Sequence, residues 1–184
     1  EKATVDRARL LMEEVQLAPL DRPVVKPARD AAAAAEKQAD KGSNGIYCGA
    51  ALMLPDGRIV TGKNSPQLHA ASSAVLNAIK LLAGLPDPCH LIPPQIIGSI
   101  AHLRTEILQA ARASMDLTET LIALSVSAAG NPAAQLALEQ LGRLRGCEMH
   151  LTHIPTPGDD AGLRRLGINL TSDPTFSSHS LFPG

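Results

Sequence analysis

Apolar residues recur at helical spacing in the first stretch of the chain: Val5, Ala8, Leu11, Met12 and Val15 share one stripe and predict a helix over 2–17. Pro19, Pro23 and Pro27 then punctuate a connector, because proline cannot continue a helix. The alanine run 31–35 favours a second helix over 28–40, ended near Gly42. From residue 43 the pattern changes. Ile46–Leu54 reads as a strand, Pro55-Asp56-Gly57-Arg58 as a hairpin turn, and Ile59–Gly62 as the returning strand. Ser65 as a cap and Pro66 at the first helical position predict a helix to about Ala83, closed by Gly84. A Pro-containing loop over 85–92 leads to a helix over 93–112. The run Leu121, Ile122, Ala123, Leu124, Val126 predicts a buried strand, Glu119–Ser127. Asn131-Pro132 opens a helix to Arg145, and Gly146 closes it. Glu148–Ile154 is the next strand, Thr156-Pro157-Gly158-Asp159 opens a short helix that Gly167 ends, and Ile168–Thr171 is the last strand. The tail from Asp173 is polar and expected to be loose.

The order is therefore β-β-α-(α)-β-α-β-α-β, an α/β domain on a mixed sheet. Alternation of strand and helix implies parallel strands with helical crossovers, and the hairpin adds an antiparallel one. Residues 41–184 form this domain, with 85–118 as a helical insertion. Residues 1–40 read as a helical arm and connector to upstream domains. The chain opens on Glu1 rather than Met, so residue 1 is not expected to be the natural start.

Composition narrows the function classes. With no Trp, one Tyr and two Phe among 184 residues, the core must be aliphatic. The net charge of -1 provides no global basic field for nucleic acid or anionic membrane, and single-strand stacking platforms are nearly absent. No apolar run reaches the roughly 20 residues of a membrane span. Charges at Glu1, Lys2, Asp6, Arg7 and Arg9 break any signal-peptide pattern. Cys48, Cys89 and Cys147 are odd in number and widely spaced, which suits free thiols and a cytoplasmic location.

Polar residues gather at four segments that should meet beyond the strand C-terminal ends, where ligands bind in open α/β sheets. They are Gly62–Ser65, Ser125–Asn131, Thr152–Thr156 and Thr171–Asp173. A helix N-terminus beside Lys63, Asn64 and Ser65 is a seat for a phosphate or carboxylate, or else an ordinary capped helix start. His69, Ser73 and Asn77 lie at i, i+4 and i+8 on the following helix, as its solvent face or with His69 aimed at the site as a proton donor or acceptor. Ser125 and Ser127 share a strand face, and Asn131, His153 and Thr156 complete the expected ligand set. Cys147, His150 and His153 do not form a metal site in this reading. His150 lies on the opposite strand face, and Cys147 and His153 stand about 20 Å apart at strand spacing. Asp159 and Asp160 are read as carboxylates favouring a helix dipole.

The strings NGIYCGAALMLPDGRIVTGKNSPQLHAASSAVLNAIKLLAGLPD and TETLIALSVSAAGNPAAQLALEQLGRLRGCEMHLTHIPTPGDDAGLRRLGINLTSD resemble the C-terminal part of a bacterial family catalogued as a domain of unknown function. Its members are roughly three times this length, so the resemblance implies upstream domains. The family's C-terminal part in turn resembles the cytidine-deaminase fold, a three-layer α/β/α arrangement. Zinc deaminases of that fold open one helix with His/Cys-Ala-Glu and the next with Pro-Cys-x-x-Cys. Here those positions match His69-Ala70-Ala71 and Pro132-Ala133-Ala134-Gln135-Leu136, so the Glu and both Cys are replaced. No zinc is expected, any other cofactor is left open, and Asn64 falls where the fold places a substrate-binding Asn.

Two functions follow as expectations. In the first, the domain is a zinc-independent enzyme domain binding a small anionic, nucleotide-like compound, with Lys63 holding the anion, Asn64 and Asn131 orienting it, and His69 as the catalytic proton carrier. In the second, it is a non-catalytic ligand-sensing or oligomerisation module of a larger protein. Expected partners are the small ligand, upstream domains and copies of the chain in a homo-oligomer, with no nucleic acid or membrane.

Overall fold

The computed structural model of the chain describes residues 2–177. Its centre is a four-stranded mixed sheet made of β1 (Gly49–Met53), β2 (Ile59–Lys63), β3 (Glu148–Leu151) and β4 (Asn169–Ser172), in spatial order β2-β1-β3-β4. β1 runs antiparallel to both β2 and β3, and β3 is parallel to β4. The hairpin turn is closed by Leu54 N–H donating to Arg58 O at 2.8 Å and Gly57 N–H to Leu54 O at 2.9 Å. The parallel pair is joined by α7 (Pro157–Leu166), the crossover that parallel strands require.

Alternation along β1 sends its residues to two different helices. Gly49, Ala51 and Met53 face α2 (Val25–Glu36), where Val24 and Ala28 are buried against Ala51. Ala50 and Leu52 face the larger core with α3 (Ala70–Leu82), α5 (Leu117–Ala128), α6 (Pro132–Leu138) and α7. Two glycines permit this. A Cβ on Gly49 would stand 2.1 Å from Ala28 O, and one on Gly62 2.2 Å from Ala74 N. Both helices thus lie on the strands at backbone contact, and the sheet is covered on both faces. The second predicted helix accordingly starts earlier, at Val25, with Pro27 inside its first turn, where no N–H is needed. α1 (Lys2–Glu14) buries none of residues 3–14 and leaves Leu10 and Leu11 exposed.

The expected strand Glu119–Ser127 is a helix instead. Asp116 caps α5: its Oδ1 accepts from Glu119 N–H at 2.9 Å, and Glu119 Oε2 accepts from Asp116 N–H at 3.0 Å. This reciprocal pair satisfies two donors at the helix start. Leu117, Thr120, Ala123, Leu124 and Ser127 are buried at helical spacing, while Ile122 and Val126 are exposed. The apolar run was short enough to fit either period; the capping box decides it. The observed order is β-β-α-α-α-α-β-α-β once the chain reaches the sheet, counting α4 (Pro94–His102). No helix among the described residues is long and apolar enough to cross a membrane.

Candidate functional site

Three chain segments converge where β2 and β3 end and β1 begins. Around them lies a cavity of about 50 Å³. Its walls include Cys48, Asn64, His69, Arg112, His153 and Asp159. The volume admits a few water molecules or one small anionic group, with the rest of any larger ligand projecting outward.

His69 is the N-cap of α3, and its ring is held by a carboxylate. Nδ1 lies 2.7 Å from Asp159 Oδ2. Asp159 is buried, and its other contacts are Thr156 Oγ1–H donating to Oδ2 at 2.8 Å and Leu117 N–H donating to Oδ1 at 2.9 Å. An ionised carboxylate only accepts, so Nδ1 is the donor, and the neutral ring presents Nε2 as an acceptor. Among the described residues Nε2 makes no hydrogen bond. Asp159 comes from the first turn of α7 and is fixed there by Thr156, the cap of that helix.

The α3 N-terminus opens on the same cavity through His69, Ala70 and Ala71. No side chain caps it. The expected cap, Ser65, lies farther back: its Oγ accepts from Gln67 N–H at 3.3 Å and Leu68 N–H at 3.1 Å, closing a separate turn before the helix. The first backbone N–H groups of α3 thus have no acceptor among the described residues, and Ala70 and Ala71 of that first turn line the cavity. Arg112 supplies the cation at this cavity, its guanidinium also donating to Ser177 O at 2.8 Å.

The remaining predicted residues divide. Asn64, Ser65, His153 and Thr156 line the cavity with His69. Asn64 is nonetheless engaged by its own chain: Oδ1 accepts from Cys48 N–H at 2.7 Å and Nδ2 donates to Ile46 O at 2.9 Å. Lys63 is on the other side of the strand end, where Nζ donates to Gln38 Oε1 at 3.1 Å and the side chain lines a different cleft. Ser125 is exposed on α5, and Ser127 is buried with its hydroxyl donating to Ala123 O at 2.7 Å, because that segment is helix. Asn131 caps α6, accepting from Ala133 N–H at 3.0 Å and donating to His90 O at 3.1 Å. None of Lys63, Ser125, Ser127 and Asn131 lines the cavity.

Sequence reasoning missed Asp159 as a partner of His69, and Arg112 as the cavity's cation. The signal for Asp159 was its position three residues after Thr156, the spacing of a capping side chain. Nothing local marked Arg112.

Burial shapes the neighbouring groups. It pushes the Cys48 thiol up to about 12, so no reactive thiolate sits in the cavity wall. It lowers His153, against the opposing pull of Asp173, and so favours a neutral ring. The donor set does not fit the zinc centre of the deaminase resemblance. The helix whose start faces His69 is α7, not α6; laid on it, Pro-Cys-x-x-Cys falls on Pro157, Gly158 and Ala161, which offer no ligand.

On the opposite sheet face, α2 and the turn before it are tied down by charge. Arg22 contacts Glu148 and Thr171, and Arg29 donates to both oxygens of Asp173, at 2.7 and 3.0 Å. His150 Nδ1 lies 2.9 Å from Thr171 Oγ1, and its Nε2 stands 3.4 Å from Asp173 Oδ1 without hydrogen-bond alignment.

Residues 20–182 match the family model described as Domain of unknown function DUF1846, C-terminal. The chain belongs to this family. Over 182 residues the DUF1846 chain is 44% identical to a UPF0371 protein of Clostridium botulinum (strain Eklund 17B / Type B). It is 42% identical to one of Clostridioides difficile (strain 630) and 40% to one of Clostridium tetani (strain Massachusetts / E88). Each match covers 99% of this chain and 36% of the relative. The chain thus spans little more than a third of the length of the curated relatives it matches.

Proposed function

We propose that this domain is a small-ligand enzyme domain in which His69 transfers a proton to or from a bound anionic compound. The observation that carries the reading is the buried Asp159 carboxylate 2.7 Å from His69 Nδ1, at a cavity that also receives an uncapped helix start. An oriented imidazole with a free Nε2 is the arrangement a general base needs. The free N–H groups of α3 and the Arg112 guanidinium supply positive potential for a phosphate or carboxylate. His153, kept neutral by burial, offers a second polar contact. The resemblance to the deaminase fold, as part of this proposal, fits the same picture. His69 opens α3 at the position of the first deaminase motif, and α7 brings a second helix start against it. A nucleotide-like ligand would insert its anionic group and leave the rest outside the 50 Å³ cavity.

The test is a thermal-shift screen of the full-length protein against phosphates, sugar phosphates, nucleotides and small carboxylates, repeated with Arg112→Ala and His69→Ala. A ligand whose stabilisation is lost with Arg112→Ala, and whose turnover is lost with His69→Ala, supports the reading. If no ligand in the screen depends on Arg112 for its stabilisation, the reading fails and the domain is left as the non-catalytic sensing or oligomerisation module.

A further inference from the structure

A second cleft of about 530 Å³ runs between the edge strand β2, α3 and the loop 85–92. That is within the range of about 300–1,000 Å³ typical of small-ligand sites. Three lysines line it, each from a different element: Lys41 from the turn after α2, Lys63 from the end of β2, and Lys80 from α3. Lys63 Nζ donates to the neutral Gln38 Oε1, and Lys80 Nζ to the backbone carbonyl of Asp87 at 2.8 Å. Neither makes an ion pair among the described residues, and Lys41 meets only the largely exposed Asp40. The field of Lys63 reaches Asp40 too: after the Lys41 hydrogen bond, and against desolvation, it helps hold that carboxyl below its ordinary value. Against these three ammonium groups the cleft wall carries one carboxylate, Asp87.

We propose that this cleft is a second ligand site, for a small molecule carrying a phosphate or diphosphate group. Lysines act as mobile point charges, and three of them around one cleft match two or more negative charges better than a single carboxylate. Their present partners are neutral acceptors or an exposed side chain, which an incoming phosphate displaces without stranding a buried charge. Gln67 and Ser73 line the same wall and add an amide and a hydroxyl for orientation. Asn77 Nδ2 donates to Thr61 O at 2.9 Å and so satisfies that edge-strand carbonyl. The polar stripe of α3 thus acquires a ligand, whereas His69, at the start of that helix, belongs to the other cavity.

The experiment is isothermal titration of the full-length protein with inorganic pyrophosphate at two salt concentrations. It compares wild type with Lys63→Met and Lys80→Met, which keep the apolar stems, and with Arg112→Ala. Binding about tenfold weaker in each lysine variant, unchanged with Arg112→Ala and reduced by salt, is the expected result. The proposal is overturned by absence of binding, by binding that both lysine variants retain, or by binding lost with Arg112→Ala alone. The last outcome would place the anion at the His69 cavity, so the two sites fail separately.

Discussion

Removing the Asp159 carboxylate gives the sharpest test of the His69 arrangement. Asp159→Ala strips the acceptor from three donors: Leu117 N–H, Thr156 Oγ1–H and His69 Nδ1–H. Leu117 is wholly buried and is the first residue of α5, so its N–H has no helical partner to fall back on. An unsatisfied buried donor costs about 1–3 kcal/mol. Thr156 can turn its hydroxyl elsewhere, and His69 is partly open to solvent. The expected loss is therefore about 2–4 kcal/mol, one buried donor plus part of a second. Asp159→Asn keeps an acceptor for Leu117 and should lose about 1 kcal/mol, but its NH2 group then faces Nδ1 and forces the proton onto Nε2. Urea unfolding measures the two losses, and the nitrogen chemical shifts of His69 report the tautomer directly. The reasoning is refuted if wild-type His69 carries its neutral-state proton on Nε2, or if Asp159→Ala unfolds no earlier than Asp159→Asn.

Other predictions follow from the same geometry. Burial lowers both His150 and His153, with Asp173 opposing, below the ordinary 6.5. The unfolded chain then takes up protons first, so stability is full above about pH 6.5 and falls as pH drops from there toward the folded values. His150→Gln should flatten part of that slope in a melting-temperature series; an unchanged slope would assign it elsewhere. Asp173 feels burial raising it, outweighed by Arg29 and His150, so its contribution persists above the usual carboxylate range and is lost only in stronger acid. Gly62→Ala places a Cβ 2.2 Å from Ala74 N and 2.5 Å from Ala70 O and should destabilise by about 1–3 kcal/mol or more in chemical denaturation. Ser125→Ala should leave ligand affinity at its wild-type value, because α5 carries that residue away from the cavity.

Much of the chain was legible from local chemistry. The Asp-Gly turn set the hairpin, and glycines after α3 and α7 marked where those helices end. The α/β pattern pointed to the region beyond the ends of β2 and β3, where the structure has a cavity that His69 and Thr156 line. What failed was one segment with long consequences. Reading Leu121–Val126 by its apolar run alone made a strand of α5 and put Ser125, Ser127 and Asn131 at a strand end that does not exist. The Asp116–Glu119 pair was the countersignal. The His69–Asp159 contact joins residues ninety positions apart, and no local period reports such a pairing. Lys63 lines a different cleft from the His69 cavity, because the chain turns at Asn64 and, on this segment, the cavity is lined from Asn64 onward.

The thiol of Cys48 gives the cavity its own reporter. A sulfur that ionises only near 12 and lies against the packed start of β1 does not meet a thiol reagent while the domain stays closed. Once Cys89, the least buried of the three cysteines, has been replaced by serine, the labelling rate of Cys48 becomes a clock for how often the wall beside His69 comes apart. A ligand seated there would slow that clock by the same factor as it populates the site, and so could be detected without knowing the reaction.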